Sequence, residues 1–291
     1  MTTVNATTEF AKSDAQAALP SDIKQVGIVA KYDILKFLRS RRLLGMLIIE
    51  GLVLALITAL LLTTDRPSMT FDEVAYQYIS FASTLVIIAA TLFGGDAIVS
   101  EFQGRTGYLL FPNPVKRGTI LAGKFLSACG AMVLVMGLYY VITLVAGLVI
   151  SDTGGVSWLI LYSGLLSVLY GVSALAVAFF ISSLMKGSTG SLILTFALFF
   201  FVFNIAGSLL GALGGIKPWF IPTFAGETLS YIMQTPYPVD EIWTQTIEGF
   251  GDFTTYLFYP KIWESVGVMI AWTVIPLALA YFLFKRREMA A

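Results

Sequence analysis

The chain has 291 residues, 57% of them apolar and 12% charged, and its 18 basic and 18 acidic side chains balance to zero. A soluble domain carries about twice that charged fraction, so the composition points to a polytopic membrane protein with no general pull toward nucleic acid. Histidine is absent and Cys129 is the one cysteine, which removes imidazole bases, Ser–His and Cys–His pairs, an intrachain disulfide and histidine or cysteine metal sites.

Residues 1–22 are polar and carry Glu9, Asp14 and Asp22. They predict a disordered segment and argue against a cleavable signal peptide. Asn5-Ala6-Thr7 has the form of a glycosylation acceptor, but the topology below assigns it to the cytosol. Residues 23–42 predict an amphipathic helix. Ile23, Val26, Gly27, Ala30, Ile34, Phe37 and Leu38 recur at helical spacing, Lys24, Lys31 and Arg39 fall elsewhere, and Ile28 and Leu35 blur the stripe. Two placements suit it: along the inner leaflet, or against the cytosolic ends of the chain's own spans.

A helix crossing the hydrocarbon core needs about 20 apolar residues. Six runs qualify within 43–284: 43–62, 76–94, 119–150, 156–184, 191–213 and 264–284. As a helix the third would reach about 48 Å, so its first turns, 119–126, are expected in the cytosol or the headgroups. Fifteen of the 18 basic residues fall on one side: seven before the first span, four from Arg105 to Lys124, Lys186, and three in the tail 285–291. Only Arg66, Lys217 and Lys261 fall on the other. The bias predicts a multi-pass protein of the cell membrane with both termini cytosolic. The last external loop, 214–262, holds five of the ten prolines and eleven aromatic residues. That predicts re-entrant helices at headgroup level, one of them over 223–234.

Gly118-Thr-Ile-Leu-Ala-Gly123-Lys124 matches a phosphate-binding loop until Phe125, where magnesium needs a hydroxyl. No strand precedes it, so any ATP use belongs to a partner chain. Glu50 lies roughly 11 Å into the first span. A carboxylate at that depth faces protein or water, which leaves three readings: a substrate path, a dimer interface, or a structural pair with Lys124 or a hydroxyl. Asn204 in the fifth span has the first two readings and also that of a plain helix–helix hydrogen bond. Gly207, Gly211 and Gly215 repeat every four residues and predict close helix packing, within the chain or across a dimer. Gly94-Gly95 closes the second span and is expected to let the chain turn. No residue set predicts catalysis.

The polar insert 96–119 separates the second and third spans. Residues 97–106 predict a short helix with Ile98 and Phe102 on one face and Glu101 and Arg105 on the other, ended by Gly107 and Pro112-Asn-Pro114. Six spans, an amphipathic N-terminal helix and this insert resemble the permease subunit of type-2 ABC exporters. The matches are Glu101, Thr106, Leu109, Leu110, Pro114, Val115, Arg117, Gly123 and Lys124. The departures are Arg105 in place of glycine, and Phe102 and Gln103 in place of charges.

The resemblance implies an all-α membrane protein whose insert is a coupling helix. Glu101, Phe102, Gln103, Arg105 and Thr106 would dock on a cytosolic ATPase. Two permeases, identical or close paralogues, would work with two ATPases that hold ATP and magnesium. This chain would bind no cofactor itself, lipid would surround it, and the aromatic loop would cap the exit path. Rival readings are a secondary transporter or channel, which would want inverted repeats and charged, broken spans, and an intramembrane lipid-modifying enzyme or protease, which would need clustered acids or a nucleophile at depth.

Overall fold

The computed structural model describes residues 21–63, 68–103, 115–152, 155–247 and 251–286. Arg105 and Thr106, Leu109 to Pro114, the segment 1–20 and the tail 287–291 lie outside them.

Among the described residues six helices are long and apolar enough to cross a membrane. Spans one to six are Arg41–Thr63, Phe71–Gln103, Arg117–Ile150, Leu159–Leu184, Ser188–Gly211 and Ile262–Arg286. Their hydroxyl residues carry little polar cost. Thr58, Ser167, Ser173, Ser183, Thr195 and Thr273 each donate to a carbonyl three or four residues back.

Span two is built in pieces, Phe71–Ile79, Ala82–Gly94 and Val99–Gln103. It starts with a capping box: the Glu73 amide donates to Thr70 Oγ1 at 3.4 Å, and the Thr70 amide donates to Glu73 Oε2 at 2.8 Å. Spans two and four form the buried centre, and spans one, five and six are mostly exposed. Gly94 lets spans two and four touch, because a Cβ there would fall 2.8 Å from the Ala178 Cβ. The backbone at Gly95 is ordinary helical, so this pair serves close approach as well as the turn that follows.

Asp22 and Arg286 mark one end of the bundle, here the basal end. Lys116 Nζ lies 2.6 Å from Asp22 Oδ2, and Arg117 Nη1 donates to the carbonyls of Phe284 and Lys285 at 3.2 and 3.0 Å. The amphipathic helix spans Asp22–Leu38 and packs along span three. Gly123 and Gly130 make room for it: a Cβ at either would fall 2.6 Å from Val29 and Ile34 respectively. Ile28, Tyr32, Leu35 and Leu38 stay exposed on the other side. The blurred stripe is thus two apolar faces, one turned to the protein and one away from it.

The opposite, distal end is covered by the long loop between spans five and six. Two short helices, Pro222–Gly226 and Thr228–Tyr231, stand where one was expected over 223–234. Gly226 presses on the Tyr170 ring, whose Cζ would be 2.7 Å from an added Cβ. The Leu229 carbonyl accepts from Ser163 Oγ at 2.6 Å, Thr228 Oγ1 lies 2.7 Å from Ser265 Oγ, and Trp272 Nε1 donates to the Phe220 carbonyl at 2.9 Å. These bonds fasten the loop to spans four and six. Beyond them an antiparallel hairpin pairs β1, Glu241–Ile247, with β2, Gly251–Leu257. The hairpin is an addition to the helical fold that the sequence reading did not foresee.

Candidate functional site at the basal end

Val99–Gln103 is a single helical turn that leaves the end of span two and touches most of the bundle. Gly94-Gly95 and the turn through Ile98 set its direction. The amides of Ile98 and Val99 both donate to Ser182 Oγ at the end of span four, at 3.0 and 3.1 Å. Ser191 Oγ, on span five, donates to the Gly95 carbonyl. Gln103 Oε1 accepts from the Ser188 amide at 2.9 Å, so it caps the start of span five. The ring of Phe102 meets Phe284 of span six edge-on at 6.1 Å.

The remaining contacts are ionic. Lys124 Nζ, next to the packing glycine Gly123, lies 2.7 Å from Glu101 Oε1 and 3.2 Å from Asp33 Oδ2. One ammonium therefore joins span three, the Val99–Gln103 turn and the amphipathic helix. Arg42, at the start of span one, forms a two-pronged pair with Asp96, 2.6 Å to each oxygen. Planar guanidinium-to-carboxylate pairing of this kind fixes orientation as well as distance. Asp33, Phe37, Ser40, Arg42, Asp96 and Lys124 surround a cavity of about 240 Å³ between these elements.

Of the sequence candidates, Glu101, Phe102 and Gln103 are brought together here, while Arg105 and Thr106 lie outside the described residues. Glu101 and Phe102 turn inward and Gln103 stays exposed. Reasoning from sequence passed over Arg42, Asp96, Asp33 and Ser182. Their pairings span up to 91 positions of chain and leave no local pattern; only the placement of charges at the ends of apolar runs hinted at them.

The other candidates lie elsewhere. Glu50 is buried inside the protomer at 1% exposure, and neither carboxylate oxygen has a hydrogen-bond partner among the described residues. Lys124 is engaged by Glu101 and Asp33 and does not pair with it. Asn204 Nδ2 donates to the carbonyls of Phe199 and Phe200 at 2.9 and 3.2 Å, within its own helix. Those carbonyls belong to one of two π-helical stretches, Leu198–Phe203 and Leu209–Leu213, a wider winding than the α-helix. Gly207 and Gly211 face the side chains of Ile221 and Phe258 at 3.8 and 3.9 Å, so within this protomer their neighbours come from the distal loop and not from another span. Gly215 has φ +60° with the Tyr256 ring against it, a conformation that suits glycine. The segment 118–124 is continuous helix, which is not a phosphate-cradling loop. Among the described residues no cluster suited to a metal ion occurs.

Six apolar spans, four of them joined at the basal end by one polar turn, describe a multi-pass membrane subunit. A family model described as ABC-2 family transporter protein matches residues 28–289, and the chain belongs to that family. It is a multi-pass membrane component of an ABC transporter, and ATP hydrolysis resides in a separate subunit. Among curated proteins it is similar to the Probable ABC transporter permease protein NosY of Stutzerimonas stutzeri, at 28% identity over 282 residues, covering 91% of this chain and 99% of that one. Membership sets aside the readings as a secondary transporter, a channel or an intramembrane enzyme.

Proposed function

We propose that this permease is an exporter driven through the turn Val99–Gln103, with its basal end in the cytosol. The observation that carries the reading is the set of contacts this turn makes: Ser182 of span four, Ser188 of span five, Phe284 of span six, and Lys124 of span three, which also holds Asp33. Displacing the turn loads each of these helices at once. Exposed Gln103, with Arg105 and Thr106 beyond it, would meet the ATPase. Inward-facing Glu101 and Phe102 would pass the displacement on.

The working unit is two permeases, identical or paralogous, with two ATPases that bind ATP and magnesium. The mostly exposed spans one and five supply apolar surface for the second permease and for lipid. The exposed side of the amphipathic helix, with Ile28, Tyr32 and Leu35 beside Lys24 and Lys31, suits the headgroup region of the inner leaflet. ATP binding stabilises one arrangement of the helices over the other by differential contact, and hydrolysis restores the first.

The test is reconstitution with the partner ATPase in vesicles of known orientation. Cargo accumulating inside inside-out vesicles supports export. Accumulation in right-side-out vesicles, or ATPase activity indifferent to the permease, opposes it.

A further inference from the structure

The distal end holds a second cleft, of about 280 Å³, between span five, the two short helices and the hairpin. Phe203, Phe224, Tyr256 and Phe258 wall it with aromatic rings, and Gly207 and Gly211 keep its span-five side open by lacking side chains. Its polar groups are Asn204, Ser208, Thr223 and Glu227. Because Asn204 Nδ2 is committed to the Phe199 and Phe200 carbonyls, its Oδ1 is left to accept. Glu227 is the one ionisable carboxylate of the lining.

That charge has no counter-ion. Among the described residues of the distal end the cations are Lys217 and Lys261, and they are taken by Asp240 at 2.9 Å and Glu264 at 3.4 Å. Below the cleft, the buried Tyr170 hydroxyl, which also lacks a hydrogen-bond partner among the described residues, is electrostatically coupled to Glu227, as are Tyr231 and Tyr237. None of these neutral phenols supplies positive charge.

We infer that this cleft binds an organic monocation, a quaternary or protonated amine with an apolar body, seated between Glu227 and the aromatic rings. A carboxylate set among π faces attracts such ions twice, by charge and by the ring quadrupole, and rejects anions of equal size. Glu227 is open to solvent on the cleft side, while the protein packed behind it raises its carboxyl above the ordinary carboxylate range, so occupancy increases as pH rises through that raised value. The inference names a cargo or ligand class for the proposed exporter and rests on that reading only for calling the cleft its outer mouth. Binding itself needs no ATPase.

The experiment is equilibrium binding of radiolabelled benzyltrimethylammonium to the full chain in nanodiscs at pH 8, with neutral benzyl alcohol and anionic phenylacetate as competitors. Saturable binding displaced by neither is expected. Glu227→Gln should weaken it at least about tenfold, and Phe224→Leu, which keeps an apolar side chain and loses the ring, by about three- to tenfold. As a check on the unmodified chain, the cation should slow carbodiimide labelling of Glu227. No saturable binding, equal displacement by benzyl alcohol, unchanged binding by Glu227→Gln, or labelling indifferent to the cation would each overturn the inference. Coupling to the ATPase would stand in all four cases.

Discussion

Glu101 and Lys124 are 23 residues apart in the chain and 2.7 Å apart in space, and their side chains are 12% and 11% exposed. The polar turn is therefore riveted to span three by a buried ion pair, and Asp33 shares the same ammonium at 3.2 Å. Two carboxylates around one cation make the cation the sensitive member.

Removing Lys124 takes the shared cation from both carboxylates at once, whereas removing Glu101 leaves the ammonium with Asp33. Lys124→Met is expected to cost about 3–5 kcal/mol of stability and Glu101→Gln less. Thermal unfolding in detergent checks the order. Equal melting temperatures, or the larger loss in Glu101→Gln, would remove the shared-cation arrangement. Glu101→Gln should also reduce permease-stimulated ATP hydrolysis more than it reduces stability.

The pair between Arg42 and Asp96 makes a parallel prediction about its buried half. Asp96 is 6% exposed and Arg42 42% exposed, so losing the arginine leaves a charge with little water. Arg42→Met should destabilise more than the double variant Arg42→Met with Asp96→Asn, a non-additivity of about 1–3 kcal/mol in a thermal-melt cycle. Additive losses would mean that Asp96 is hydrated or paired some other way.

Gly123 tests how the amphipathic helix is seated. A Cβ there would fall 2.6 Å from Val29, so Gly123→Val should cost about 1–3 kcal/mol and loosen that helix. Adding Val29→Ala should recover part of the loss. Protease sensitivity around Asp33 and the melting temperature both read it. A neutral Gly123→Val would show that the two helices do not touch in solution.

Much of this fold was legible because lipid imposes long apolar runs, and all six described spans coincide with runs in the sequence. The capping box at Thr70 and Glu73 was readable too, yet it places the start of span two at Phe71 and not at 76, since Phe71, Val74 and Ala75 are buried around polar Asp72 and Glu73. Gly123-Lys124 looked like part of a nucleotide motif. Its glycine is there for helix contact and its lysine for Glu101 and Asp33, which a linear pattern cannot distinguish. The inward turn of Glu101 and the pairing of Arg42 with Asp96 depend on tertiary approach, and the hairpin on cross-strand partners, so none left a periodic signal.

Asp240 gives a pH prediction at the distal end. Burial alone would raise its carboxyl, but the Tyr259 amide at 2.7 Å and Lys217 at 2.9 Å hold it below the usual range. A lowered folded value means its stabilisation is present above the ordinary carboxylate range and is lost as pH falls through the lowered value. Melting temperature should drop between neutral pH and about pH 3, with a smaller drop in Asp240→Asn. An equal drop in both would assign the acid sensitivity to other carboxylates.

The central claim is that a separate ATPase works this permease through the turn after span two. A photo-crosslinking residue placed at Gln103, in cells that contain the partner ATPase, tests it most directly. The account predicts a covalent adduct with the ATPase, strengthened when ATP is trapped, and no reaction of a cysteine at that position with impermeant reagents outside the cell. Labelling of that cysteine from outside, or a crosslink that never includes the ATPase, would contradict it.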